Sequence, residues 1–114
     1  MSRLSVLLLT LAAFAAASGQ LLFKIGARDR EHILEFINMP IIAGLVLYGT
    51  GTAIWIYALS FEKLVNVYAF TALTFVLVYL GGVFIINERI SMPGIIGIIL
   101  ILGGLYLIAS NYNA

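Results

Sequence analysis

The charged residues of this chain gather into a few clusters, and the distances between the clusters limit what it can fold into. No Asp, Glu, Lys or Arg occurs in the 20 positions between Arg3 and Lys24, the 26 between Glu35 and Glu62, the 24 between Lys63 and Glu88, or the 25 that follow Arg89. A helix needs about 20 apolar residues to cross a hydrocarbon core of about 30 Å, so each interval is long enough for one crossing. The intervening composition agrees: 63% of the chain is hydrophobic, against roughly 45–50% in soluble domains, and a water-soluble fold of this size has no interior large enough to hide that surface. A β-barrel strand would alternate apolar and polar residues over about ten positions, whereas the run from Gly94 to Ile108 is nearly continuous Ile, Leu and Gly. Helices satisfy their own backbone groups in lipid. The expected fold is therefore an all-α membrane protein: a single domain over residues 1–114 with four transmembrane helices at about 4–25, 40–60, 64–86 and 91–110.

Local signals set the ends. Pro40 suits a first helical turn, Ser91 suits an N-cap, and Pro93 falls in the turn after it. The only sizeable hydrophilic segment lies between the first two helices and carries Arg28, Asp29, Arg30, Glu31, His32 and Glu35. The other turns are short, at Phe61-Glu62-Lys63 and Asn87-Glu88-Arg89-Ile90-Ser91, which makes the last three helices antiparallel neighbours. The apolar stretch near the N-terminus exceeds the ~7–15 residues usual in a signal peptide, so it is expected to stay as the first helix. Lys and Arg number two on the side of the termini (Arg3, Lys63) and four on the other (Lys24, Arg28, Arg30, Arg89). That tilts the first and third loops toward the cytoplasm, and dual insertion follows if Lys24 lies within the membrane.

Several chemistries have nothing to work with. There is no cysteine and only one histidine, His32, so a metal site is not expected and neither is a cofactor. A net charge of +1 without a basic run offers no footprint for nucleic acid. With no soluble domain to hold a catalytic constellation, transport is expected rather than enzymatic activity.

Ionisable residues within spans are functional candidates because holding them there is costly, and no helix interior here contains an acid. Lys24 is nearest to being buried, and stepping back four residues at a time from it puts Gln20, Ala16 and Ala12 on one face. Such a face can wall a cavity whose mouth offers an ammonium and an amide to an anion. Equally, the lysine can snorkel to the headgroups while the alanines let helices approach. The third helix carries Tyr68, Thr71, Phe75 and Tyr79 at spacings of three or four, with Asn66 and Thr74 beside them, as substrate contacts or interhelical hydrogen bonds. Tyr48, Thr52 and Trp55 make a similar stripe on the second helix, although Trp55 also fits an interfacial aromatic belt. Glu88, where the third helix leaves the membrane, reads either as a solvated turn or as a headgroup contact. The glycines supply small packing surfaces, and a path through so thin a bundle forms more readily between two protomers.

The segment Ser18-Gly19-Gln20-Leu21-Leu22-Phe23-Lys24, the turn Asn87-Glu88-Arg89-Ile90-Ser91 and the glycine-rich helix from Gly94 to Gly104 resemble the drug/metabolite transporter superfamily, over essentially the whole chain. Two groups within it have four helices. The small multidrug resistance transporters are similar in length and in the seven-residue spacing of Gly97 and Gly104, which implies an antiparallel dimer packed through those glycines. Their cation-binding glutamate aligns with Ala16 and their substrate-stacking tryptophan with Thr71, so export of cations or small metabolites is the second reading. The subunits that flip aminoarabinose-undecaprenyl phosphate look closer, sharing the Gly-Gln-x-x-x-Lys end of helix 1, the entry Val65-Asn66-Val67-Tyr68-Ala69 and the Glu88-x-x-Ser91 turn. This resemblance implies a multi-pass protein of the bacterial inner membrane that acts as a flippase or flippase subunit on a polyprenyl-phosphate-linked sugar lipid, as a homodimer or with a sister four-helix subunit. Carried onto this chain, it places Lys24 and Gln20 at the phosphate, Ala16, Trp55, Tyr68 and Thr71 along the cavity, and Glu88 at the headgroup end.

Overall fold

The computed structural model describes residues 2–110, and its regular structure is all helical, with no strand among the described residues. Helix α1 spans Arg3–Ala27, α2 Met39–Leu59, α3 Leu64–Tyr68, α4 Phe70–Phe84 and α5 Met92–Ser110; a short 3₁₀ turn, Ile33–Phe36, sits between α1 and α2. Two of the crossings are α1 and α2, and α3 with α4 forms a third, Leu64–Phe84. The shorter apolar stretch Met92–Ile108 of α5 supplies the fourth. The architecture is that of a four-helix membrane protein.

The caps follow the sequence signals. The Ser2 hydroxyl accepts the Ser5 amide at 3.1 Å, starting α1. Asn38 holds two helices at once: its Oδ1 accepts the Ile41 amide at 3.1 Å to cap α2, while its Nδ2 donates to the Gly26 carbonyl near the end of α1 at 2.9 Å and to the Glu35 carbonyl at 2.8 Å. Ser91 caps α5 by accepting the Gly94 amide at 3.2 Å. Each side chain satisfies an amide or carbonyl that the helix itself leaves open.

The third crossing departs from the single helix expected over 64–86. It is interrupted at Ala69, where neither Pro nor Gly stands and where the Ala72 amide turns to the Ala69 carbonyl, an i→i+3 bond of the tighter 3₁₀ kind. It also stops at Phe84. There the Ile86 amide bonds Gly81 O and the Glu88 amide bonds Gly82 O, with Asn87 at φ 63°, a left-handed conformation that asparagine tolerates better than most residues.

Packing is concentrated between α1 and α2, with α4 lying on α1 and α5 touching α4 lightly. The first contact is backbone to backbone. A Cβ on Gly19 would stand 2.8 Å from Gly44 O, one on Gly44 would stand 2.9 Å from Gly19 O, and one on Gly51 would stand 2.9 Å from Ala12 O. In a bilayer, where lipid tails are as apolar as the helices, such close approach is what association depends on. Toward the α2–α3 turn, Leu9, Ala58 and Val67 are fully buried with Trp55, Leu59 and Phe70 against them. Beyond that cluster the buried Ser5 hydroxyl donates to Glu62 Oε1 at 2.9 Å and ties the start of α1 to the turn.

The crossing gives a direct expectation. Gly51→Leu forces α1 and α2 apart and costs about 1–3 kcal/mol or more, since backbone cannot yield as a side chain does. Gly97→Leu, whose Cβ would meet nothing within 4 Å in this chain, leaves the thermal transition of the detergent-solubilised monomer in place. Paired melting curves followed by size exclusion check both.

Candidate functional site

Between α1, α2 and the third crossing lies a cleft of about 610 Å³, within the roughly 300–1,000 Å³ usual for small-molecule sites. Helix α1 gives it the four-residue row Ala12, Ala16 and Gln20, α2 gives Tyr48, Thr52 and Trp55, and the third crossing gives Tyr68 together with Thr71 and Phe75. The small residues of α1 are what leave the space, and the close α1–α2 crossing at Gly51 forms its back wall. Leu9 and Phe70, from the buried cluster, line it as well. Tyr68 is 62% exposed and Phe75 49%, so this side of the cleft is open.

Its hydrogen-bonding groups fall into two sets. Thr52 Oγ1 donates to Tyr48 O at 2.9 Å and Thr74 Oγ1 to Phe70 O at 3.4 Å, each spent on its own helix. The side chains of Gln20, Tyr48, Trp55, Tyr68 and Thr71 make no hydrogen bond among the described residues. They line one cleft with their capacity unspent, a state stabilised in practice by water or by a ligand. No Asp, Glu, Lys, Arg or His lines the cleft among the described residues.

Of the residues singled out from the sequence, Ala16, Gln20, Trp55, Tyr68 and Thr71 are thus brought together. Trp55, for which an interfacial belt was an alternative, is half-buried and packs on the Leu9 cluster. Lys24 is exposed and does not line the cleft, but it continues the Ala12, Ala16, Gln20 row one turn on, about 6 Å farther along the helix. It falls in the last turn of α1, where the helix dipole favours a cation. Glu88 lies outside the lining and folds back on the third crossing, its carboxylate where a Cβ on Gly82 would come within 2.6 Å of Oε1. Tyr79 leaves the stripe of Tyr68, Thr71 and Phe75, because its hydroxyl reaches across to Gly94 of α5. Gly97 and Gly104 face open space. Sequence reasoning missed the Ser5–Glu62 link and the double role of Asn38. The hint for Asn38 was its position just before Met39 and Pro40, an N-cap in front of a helix-starting proline.

Two curated relatives match the chain. The protein of Shewanella sediminis (strain HAW-EB3) named probable 4-amino-4-deoxy-L-arabinose-phosphoundecaprenol flippase subunit ArnF is 39% identical over 77 residues, 66% of this chain and 53% of that protein. The match therefore spans about half the length of that relative. The probable flippase subunit ArnE of Aeromonas salmonicida (strain A449), named for the same lipid, is 30% identical over 110 residues, covering 91% of this chain and 96% of its own length. Both relatives are named as flippase subunits. No protein-family profile matches the chain. No solved structure matches it either.

The division of the polar groups has a measurable consequence. Tyr68→Phe and Thr71→Val delete hydroxyls that hold nothing in place, so each changes unfolding free energy by less than about 0.5 kcal/mol. Ser5→Ala removes a buried donor from a carboxylate and costs about 1.5 kcal/mol or more. Thermal denaturation in one detergent orders the three variants.

Proposed function

The chain belongs to the family of aminoarabinose-phosphoundecaprenol flippase subunits, and from that membership we propose that it is a flippase component of the bacterial inner membrane, moving a glycosylated polyprenyl phosphate from one leaflet to the other. The observation that carries this reading is the cleft: an apolar, side-open space with unspent amide, indole and hydroxyl groups, and a lysine one turn beyond it on the same helical row.

Each part of such a lipid has a counterpart here. A polyprenyl tail is too long to enclose and needs a lateral opening to the bilayer, which the open side at Tyr68 and Phe75 provides. The phosphate needs a cation, and Lys24 offers a point charge close to the headgroup level while Gln20, one turn inward, contributes an amide. The sugar meets Trp55, Tyr68 and Thr71 along the small-residue wall of Ala16. Glu88, held over Gly82 at the membrane boundary, meets the headgroup as it enters or leaves. Export of a cationic compound, the second reading, draws less support from a cleft without an acid among its described lining.

A bundle this thin does not enclose a headgroup alone. Helix α5 is lightly packed and leaves Gly97 and Gly104 open, a surface suited to a close helix–helix seam. We place the partner there: an antiparallel second subunit, either another copy or a sister four-helix chain, in keeping with the word subunit in both relatives' names.

Native mass spectrometry of the purified chain is expected to retain undecaprenyl phosphate and its glycosylated forms over bulk phospholipid, and Lys24→Ala to reduce that retention about tenfold, a loss of about 1.4 kcal/mol. Retention no better than bulk lipid ends the flippase reading. The double variant Gly97→Leu, Gly104→Leu is expected to shift the protein from dimer to monomer in the same spectra, with lipid retention falling alongside.

A further inference from the structure

Two of the cleft's walls end in opposite charges on the same side of the membrane. On α1 the row Ala12, Ala16, Gln20 leads to Lys24. On the third crossing Thr71, Thr74, Phe75 and Val78 line the cleft at helical spacing, and the next position on that face, four residues after Val78, is Gly82. Gly82 brings no side chain of its own, and the Glu88 carboxylate fills the place, with Oε1 2.6 Å from where a Cβ would stand. The backbone fixes this seat: the Glu88 amide donates to Gly82 O at 2.9 Å, and Asn87 turns the chain back in a left-handed conformation. Helix α1 and the third crossing run in the same direction, with α2 returning between them, so the two rows finish at one end. The Leu21 side chain meets Gly81 and sets their level. Lys24 lies three residues past that contact and Gly82 one, a difference of about 3 Å along the axes.

Neither charge is spent, since the side chains of Lys24 and Glu88 make no ion pair or hydrogen bond among the described residues. Of the other acids, Glu62 is bonded to Ser5 at the opposite end and Glu35 to the Glu31 amide within the first connection. Resting on the flippase reading, we infer that Lys24 and Glu88 form a two-charge entry site, in which Lys24 takes the phosphate of the lipid and Glu88 the protonated amine of its sugar. The cargo class is then a zwitterionic amino-sugar polyprenyl phosphate, and Glu88 is the residue that selects it. A headgroup with a phosphate on one side of a single ring and an ammonium on the other has both ends matched at once by charge-assisted hydrogen bonds. The lipid in both relatives' names carries such an amine.

The purified chain is offered, in competition at pH 7, undecaprenyl phosphate carrying a 4-amino pentose and the same lipid with that amine acetylated, and retention is read by native mass spectrometry. The unaltered chain is expected to hold the free amine about tenfold more tightly than the acetylated form. Glu88→Gln is expected to bring the amino lipid down to the level of the acetylated one. Lys24→Ala is expected to weaken both alike and keep their ratio, a split that general damage to the fold does not produce. Gly82→Ala carries the test if Glu88→Gln fails to fold: its Cβ displaces only the flexible end of Glu88, so the preference is lost while the charge remains. Equal retention of the two lipids by the unaltered chain overturns the inference and leaves the flippase reading standing. So does a preference that survives both Glu88→Gln and Gly82→Ala, which puts the amine elsewhere. Retention of neither lipid over bulk phospholipid removes the flippase reading and this inference with it.

Discussion

The carbonyl oxygen of Gly44 occupies the place where any side chain on Gly19 would begin, and the carbonyl of Gly19 does the same to Gly44. The rest of the structure depends on this reciprocal contact. Lipid surrounds the helices with material as apolar as their own side chains, so nothing expels them toward each other, and only dense packing or polar links hold them together. Two helices whose backbones touch gain many dispersion contacts at once. Gly51 extends the approach to Ala12 and Ala16, and the ring of Phe23, packed on Tyr48 with centroids 6.0 Å apart, covers Gly44 at one end. At the loop end Asn38 locks the pair by bonding both helices, and at the opposite end Ser5 bonds Glu62.

The cleft is a by-product of the same economy of side chains. Residues small enough to admit a second helix on one flank of α1 leave room on the next, where Ala12 and Ala16 meet the third crossing across a gap rather than a packed seam. The larger residues around that gap are amphipathic. Those whose hydroxyls are bound to their own helix, Thr52 and Thr74, form wall, whereas Gln20, Tyr48, Trp55, Tyr68 and Thr71 keep their hydrogen-bonding atoms available. Gln20, Tyr48, Tyr68 and Thr71 are exposed and Trp55 is half-buried, so these groups stand open to whatever fills the cleft.

How much of this was legible beforehand follows from which forces act locally. The crossings could be read because hydropathy and charge spacing are properties of the chain alone. The four-residue row of α1 and the aromatic stripe of α2 were likewise fixed by helix periodicity, and Ala16, Gln20, Trp55, Tyr68 and Thr71 do share one cleft. The interruption at Ala69 was not legible, since no proline or glycine marks it. Nor was the departure of Tyr79, which depends on Gly94 of a different helix standing opposite it. The pairing of Ser5 with Glu62 joins residues 57 positions apart, and a serine on an apolar helix carries no sign of its partner. Glu88 lies past the end of the third crossing, and its fold onto Gly82 needed the left-handed turn at Asn87 to be seen.

The interlocked backbones of α1 and α2 also determine how such a molecule can move. Glycine carbonyls seated in a neighbour's backbone leave no side chains to repack, and packed cores shift between discrete arrangements instead of deforming smoothly. Bolted at both ends as well, these two helices form a single slab. The opposite border is looser: α4 leans on α1, the third crossing is broken at Ala69 and α5 is only lightly attached. Residue size divides the two borders of α1: glycine against glycine toward α2, aromatic and threonine toward the third crossing.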